Sequence, residues 1–414
     1  MKRLSIYKLL SINFYWVGLS FMWNSIHPII LPAVLLYLVP SRMKNTYLGL
    51  LTFAGLILAM VIQPISGAAS DIWRSRWGRR RPLAVFGTAV DLLFLGLLAW
   101  SGNLLVVIIG YIGLQIASNI AHGPMQGLLP DLVPEDQMGS ASGMKNFMDM
   151  AGLIIASLAA GNLLSPDDRY PTTIMLVVIG VLIVSSLITF ITTRELPTNH
   201  PEKEFSRIPI RFALKLDVKN NPDFFWLVGS RFIFLVGVYG VQTFAQYYIR
   251  DVMQASNPVQ ATGNVMAALA VALVIFSILG GLLTDRLGSR KVLLWASIFT
   301  SVGCLLLMAA DSIPVLVGFA SIVGAGIGLY LTSNWALASR LAPKEQAGKF
   351  LGLTNLATAG ASAISKLGGI PIDYINNAFP GKFYGYSWLF LISAVFSMAS
   401  LVVLAKVKEK RAES

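Results

Sequence analysis

Residues Gly67 to Arg81 read GAASDIWRSRWGRRR, and residues Gly281 to Lys291 read GLLTDRLGSRK. Each stretch ends an apolar run of membrane length with a small residue, an acid, a glycine and a cluster of basic residues, and another apolar run follows at once. That order describes a short, stiff hairpin between two membrane helices, with its arginines on the cytoplasmic side. Asp71 precedes Asp285 by 214 positions and Gly78 precedes Gly288 by 210, so the first copy carries four extra residues between acid and glycine. A second pair of stretches repeats independently. Pro134–Asn146, PEDQMGSASGMKN, and Pro343–Asn355, PKEQAGKFLGLTN, agree at five positions with an offset of 209. Two unrelated loops sharing nearly one offset make the chain two halves of one design.

Composition sets the solvent. The 414 residues are 55% hydrophobic and 13% charged, with a mean hydropathy of +0.68, whereas a soluble domain carries about 25% charge. The chain therefore reads as an all-α polytopic membrane protein. Its net charge of +12 does not indicate nucleic acid, because the basic residues fall in alternate loops rather than on one solvated face. Cys304 is the single cysteine and lies within an apolar run, which excludes an intrachain disulfide. Lys2, Arg3 and Lys8 precede apolar sequence long enough to span the bilayer, too long for the core of a cleavable signal, so the expectation is an uncleaved first helix.

Spanning helices need about 20 mostly apolar residues. Glycine, proline and charge clusters then place twelve, near 10–38, 46–70, 82–101, 104–129, 138–163, 171–193, 223–249, 260–284, 291–310, 314–337, 347–370 and 385–405. The expected layout is a six-helix bundle over 1–193, a cytoplasmic linker over 194–222, and a second six-helix bundle with a short tail over 223–414, the two being pseudo-symmetric around a central cavity. Lysine and arginine crowd one set of alternate loops, so both termini are expected in the cytoplasm of a cell membrane, plasma or bacterial inner. Within the linker, RIPIRFALKLDVKN alternates basic and apolar residues. It reads equally as a surface-lying amphipathic segment or as a solvated linker.

With both loop repeats in view, the chain resembles the major facilitator superfamily. Gly281, Asp285, Arg286, Gly288, Arg290 and Lys291 follow that superfamily's loop motif, and the expanded first copy SDIWRSRWGRRRP is similar to the loop of sucrose-type proton symporters and their glycoside-pentoside-hexuronide relatives. NIAHGPMQGLLPD from Asn119 to Asp131 resembles the fourth helix of that group, and Trp23 and Pro32 match an aromatic and a proline in its first. There is one departure. Where that group has an acid and an arginine eleven residues apart on helix four, this chain has the neutral amides Gln115 and Gln126. The resemblance implies alternating access of two halves, a cavity lined by helices one, four, seven and ten, and a gating role for Asp71, Arg79, Arg80, Asp285, Arg286 and Arg290. The alternative for these arginines is that they only fix topology.

Polar residues inside the spans are the candidate solute contacts. On helix four Gln115, Asn119, His122 and Gln126 fall at i, i+4, i+7 and i+11, one helical face. Helix one offers Asn24 and His27, helix seven Tyr239, Gln242 and Gln246, helix ten Asn334 and Trp335, and helix eleven Asn355. Hydrogen bonding between helices is the competing use of such residues. Among ionisable groups, Asp149 sits near the midplane of helix five one turn beyond Lys145, and Arg231 lies at a similar depth on helix seven. Asp149, Lys145 and Arg231 are candidates for proton coupling, the alternative for Asp149 and Arg231 being a permanent ion pair. Asp91 on helix three is either a further proton site or a buried hydrogen-bonding group.

No metal site is legible in three scattered histidines and one cysteine, and no phosphate-binding glycine loop supports ATP-driven pumping. Nothing resembles a catalytic triad, so no enzymatic activity or cofactor is expected. The sequence therefore predicts a secondary transporter, expected to act as a monomer, that moves a small polar, sugar-like solute with protons. An exporter of amphipathic or lipid-like compounds is the first alternative, and a non-transporting receptor or assembly factor on the same fold is the second.

Overall fold

The computed structural model describes residues 3–193, 195, 218–343 and 346–408, without the side chains of 347–349. Regular structure in these residues is helical, with no strand. The first span comes in pieces: α1 (Ile6–Asn13), α2 (Tyr15–Ser25), a π-helical turn at Ile26–Ile30, and α3 (Leu31–Leu38). Pro28 and Pro32 account for the break. Pro32 has no N–H to offer the Pro28 carbonyl four residues back, and its ring crowds that carbonyl, so the chain widens into a π turn. His27 falls inside that turn.

The first half continues with α4 (Lys44–Ile72), α5 (Arg81–Ala99), α6 (Leu104–Leu132), α7 (Met138–Leu163) and α8 (Thr172–Thr192). Beyond the linker come α9 (Pro222–Asp251), α10 (Pro258–Leu287), α11 (Ser289–Met308), α12 (Ile313–Leu341), α13 (Ala347–Lys366), α14 (Gly369–Ala378) and α15 (Tyr384–Leu404). Among the described residues, eleven helical segments have the length and apolarity to cross a membrane. The eleventh span expected from the sequence, α13, is not one of them. It is built largely of Ala, Gly, Ser and Thr, which lowers its hydropathy, and it breaks at Leu367–Gly368 before α14 resumes. The amphipathic linker segment lies mostly outside the described residues.

The chain divides into two compact units, residues 1–199 with 245–267, and residues 200–244 with 268–414. A boundary at residue 223 would place α9 and α10 wholly in the second unit. Instead the end of α9 and the start of α10 group with the first, because their side chains and glycines are fitted to it. A Cβ on Gly161 of α7 would meet the Gly263 Cα at 3.0 Å, so only glycine allows that approach. Beside it, Gln260 Nε2 donates to Asn162 Oδ1 at 2.9 Å.

Within the first unit, α6 packs on α4 and α5, and α2 packs on α7 and α8. A Cβ on Gly123 would lie 2.7 Å from the Gly67 backbone nitrogen, which brings α4 and α6 together near the Asp71 loop. In the second unit, α11 packs on α12 and α15.

Candidate functional site

The Asp71 loop is built as an ion-pair network. Arg80 is almost sealed, and its Nη2 pairs with Asp71 Oδ1 at 2.6 Å while its Nε donates to Asp131 Oδ2 at 2.9 Å. Arg79 grips the same carboxylate with two nitrogens, at 3.1 and 2.5 Å. Arg80 Nη1 also donates to Ser70 Oγ at 2.7 Å. Room for this guanidinium comes from Gly127, one turn before Asp131 on α6, where any Cβ would collide with it. Gly78 turns the loop with φ +93°, a backbone that favours glycine. There the Glu195 carboxylate accepts the Arg80 backbone N–H at 2.9 Å. Burial pushes the Glu195 carboxyl above its ordinary value, against the backbone N–H groups of Arg80 and Arg81 that draw it down. Its hydrogen bond to Asp131 raises the Arg79 guanidinium above its own ordinary value.

The second copy is more exposed. Asp285 and Arg340 approach to 3.9 Å with side chains 77% and 53% exposed. Arg290 Nη2 donates to the Ala405 carbonyl at 2.9 Å, and Arg286 is exposed.

Higher in the first unit, the π turn presents His27 to α6. His27 Nε2 and the Tyr111 hydroxyl share a hydrogen bond of 2.9 Å, and Gln115 Nε2 donates to the same hydroxyl at 2.7 Å. Trp23 stacks on His27 with centroids 4.8 Å apart and planes 22° apart, and its Nε1 donates to Ser118 Oγ at 3.2 Å. The helix-four stripe divides here, because Asn119 turns back to donate to the Gln115 carbonyl at 2.7 Å. Asn24 does likewise on α2, donating to the Ser20 carbonyl at 2.8 Å.

Further along α6, toward Asp131, a second cluster forms. His122 stands edge-on to Trp16 at 5.1 Å and contacts Gln126 Nε2 at 3.1 Å. Lys145 Nζ lies 4.0 Å from the Trp16 ring centre and 3.1 Å from Asp149 Oδ2, making the expected i, i+4 pair. Asp91 on α5 is fully sealed, and neither of its carboxylate oxygens has a hydrogen-bond partner.

The segment 245–267 supplies what the helix-one prolines remove. With its amide NH2 turned toward helix one, Gln246 donates to the Ile29 carbonyl at 2.9 Å and to the Pro28 carbonyl at 3.3 Å. The Tyr247 hydroxyl donates to the Pro32 carbonyl at 3.0 Å. At the tip of α9, Asp251 pairs with Lys44, the first residue of α4.

In the second unit the described partners of Arg231 are neutral groups. Its Nε donates to Thr358 Oγ1 and its Nη1 to Asn334 Oδ1, each at 2.9 Å. One turn before Asn334, Tyr330 stacks on Phe234 with centroids 3.7 Å apart and shares a 2.9 Å hydrogen bond with Ser230. Tyr239 and Gln242 are half-buried, while Trp335 and Asn355 are exposed. Each unit thus supplies its own polar helical interior, with an acid paired to basic residues at its repeated loop.

The sequence profile of the Major Facilitator Superfamily matches residues 9–366 and 258–414. The chain belongs to that superfamily. Membership makes it a multi-pass membrane transporter rather than an enzyme, with a small molecule as its substrate. Within the superfamily it is similar to the multi-drug resistance efflux pump PmrA of Streptococcus pneumoniae, 23% identical over 95% of this chain and 96% of the relative. It is also similar to the glucuronide carrier protein homolog of Escherichia coli K12, 24% identical over 66% of this chain and 61% of the relative. The crystal structure of a bacterial homologue of the human lysosomal transporter Spinster, inward-facing and occupied, shares the superfamily fold. It superposes with a TM-score of 0.78 over 98% of each chain at 14% identity.

Several groups escape the sequence reading. Asp131, Gly127 and Glu195 complete the first loop, Tyr111 and Trp16 organise the two polar clusters, and Lys44 and Asp251 meet at the end of α9. Tyr111 carried a signal, since it lies one turn before Gln115 on the same face. Asp131 carried another. It and Arg340 stand at the repeat offset of 209, so the position that is acidic in the first half is basic in the second.

Proposed function

We propose that this transporter moves a small polar, sugar-like solute together with protons, by alternating access of its two halves and with both termini in the cytoplasm. The observation that carries this reading is the Trp23–His27–Tyr111–Gln115 cluster. A half-buried indole beside a half-buried imidazole offers the flat apolar face that a sugar ring favours and a polar edge for its hydroxyls, and the sealed Tyr111 and Gln115 hold that imidazole in place. Asp149 with Lys145, and the sealed Asp91, are the groups that can hold and release a proton. Protonating Asp149 would free Lys145 to pair elsewhere, and Asp91 is a carboxyl whose surroundings supply no partner for its charge. The loop networks around Arg80 and Asp285 serve as cytoplasmic latches.

Uptake of labelled sugars into proteoliposomes under an imposed pH gradient tests the reading. The expected result is gradient-driven uptake, with Asp149→Asn or Asp91→Asn uncoupling sugar entry from the gradient. Uptake that ignores the gradient across a broad sugar panel overturns it. A second reading, export of amphipathic compounds, draws on the similarity to an efflux pump along nearly the full length of both chains. Gradient-dependent expulsion of a hydrophobic cation, without sugar uptake, would replace the first reading with this one.

A further inference from the structure

Arg231 is a buried cation without a counter-charge. It is 6% exposed, its two partners Thr358 and Asn334 are neutral, and none of the ion pairs among the described residues includes it. An unpaired charge at membrane depth is costly and marks a functional position. The surplus at this cluster is of one kind. Among the described residues Arg231 Nη2 makes no hydrogen bond, and Asn334 Nδ2 is buried beside the Tyr330 hydroxyl without a well-formed one. The missing element is therefore an acceptor bearing negative charge.

The site is held rigidly. Ser230, next to Arg231, is tied to Tyr330 and to the Ser400 carbonyl at 2.9 Å each, and the stacked Phe234–Tyr330 pair fixes α9 against α12. A guanidinium locked in this way presents its free edge in a set direction, which suits the planar recognition of a carboxylate. Charge balance gives the same answer, since one cation among neutral partners matches a single negative charge and would leave a doubly charged phosphate uncompensated. Lys366 does not join the site. Its ammonium is held by Thr243, twelve residues beyond Arg231 and so roughly 18 Å along the helix.

We propose that Arg231, with Asn334 and Thr358, is the subsite for a carboxylate of the transported solute, so that the solute is a monoanion. This rests on the reading of the chain as a solute transporter but not on the class of solute, since a sugar-like or an amphipathic compound can carry the carboxylate.

The test is thermal unfolding of the purified full chain at constant pH and ionic strength. Gluconate and benzoate are the carboxylate probes, sorbitol and benzyl alcohol are their neutral counterparts, and inorganic phosphate is the control. The expected result is a saturable rise in Tm with at least one carboxylate and none with its neutral counterpart. Arg231→Gln should weaken that response on the order of 30-fold or more, as for the loss of one partner of a buried charge pair. Arg231→Lys should fall between, keeping the charge and losing the fork. Should Arg231→Gln not unfold cooperatively, Asn334→Leu removes a donor without removing the cation and should still weaken carboxylate binding.

No response to either carboxylate, equal responses to carboxylate and neutral probes, or a carboxylate response unchanged in all of these variants would overturn the assignment. An equal Arg231-dependent response to phosphate would reassign the site to inorganic anions. Proteoliposomes separate this proposal from the transport reading. Undiminished uptake of a neutral sugar by Arg231→Gln would sink the monoanion and leave transport standing. Arg231-dependent carboxylate binding without uptake of any probe would sink transport of the carboxylate and leave only the binding site.

Discussion

Breaking the Lys44–Asp251 pair should loosen the end of α9 from the first unit. Both side chains are nearly sealed, 8% and 9% exposed, and each is placed badly with respect to its own helix. Lys44 is the first residue of α4, at the positive end of that helix, and Asp251 is the last residue of α9, at the negative end. Neither charge stabilises the helix that carries it, so what holds each of them there includes the other. Removing one partner of a buried pair costs about 3–5 kcal/mol, because the other charge stays behind uncompensated. If that cost falls on the arrangement in which the pair is closed, the detached population rises about a hundredfold to a few thousandfold. Exchanging the residues, Lys44→Asp with Asp251→Lys, restores the pair and corrects both dipole placements, each worth about 0.3–1 kcal/mol. The exchanged protein should therefore be at least as tightly closed as the parent. Ser157 reports the event, being 1% exposed with its backbone carbonyl against Gly263. In Ser157→Cys the introduced thiol is sealed in the closed arrangement, so its alkylation requires the packing beside Gly263 to open, while the native Cys304 is buried and contributes little background. Alkylation should accelerate strongly with Lys44→Met or Asp251→Asn and return to the parent rate in the exchange. Rates within twofold of the parent in both single variants, or an exchange as fast as the single variants, would refute the reasoning.

Three further outcomes follow from the same packing. Gly127→Ala puts a methyl where the Arg80 guanidinium lies, so it should cost about 1–3 kcal/mol by thermal denaturation. Combined with Arg80→Ala the two losses should be less than additive, since the crowded group is gone. Gln246→Leu leaves the Ile29 and Pro28 carbonyls without their donor and should cost about 1–3 kcal/mol. Pro32→Ala supplies a backbone N–H to the Pro28 carbonyl, so a double-mutant cycle should show that it offsets part of that cost. Glu195 gives a pH dependence of defined sign. Its carboxyl is raised in the folded state above its ordinary value of 4.5, so its contribution is fully present below 4.5 and lost as pH rises through the folded value. The stability difference between the parent and Glu195→Gln, measured by thermal unfolding across that range, should shift against the parent as pH rises. A flat difference would show that Glu195 titrates as an ordinary glutamate.

What could be read from the sequence, and what could not, follows the distance over which each contact is decided. Runs of about 20 apolar residues are fixed by the solvent they require, and the pairing of Asp71 with Arg80 is fixed within one loop, so both are legible in the chain. Asp131 is not, because its place beside Arg79 and Arg80 depends on how closely α4 and α6 approach at Gly67 and Gly123, and on the space left at Gly127. The grouping of 245–267 with the first unit is hidden for the same reason. One part of it is that Pro32 strips the Pro28 carbonyl of its helical donor, which is visible in the sequence, while Gln246, which answers that carbonyl, is more than 200 positions away. The helix-four stripe shows the reverse case. Its periodicity is correct, yet Asn119 spends its amide on its own helix and divides the stripe in two. The two halves also repeat in sequence without repeating in electrostatics. Interchanging acid and base between Asp131 and Arg340 leaves the first loop a linked network of two aspartates, two arginines and Glu195, and gives the second, among the described residues, an exposed Asp285–Arg340 pair at 3.9 Å. A linked network resists the loss of any one contact, whereas an exposed pair is worth about 1 kcal/mol or less and is screened by salt. If both loops act as latches, the exposed Asp285–Arg340 contact is the part of them that ionic strength should weaken.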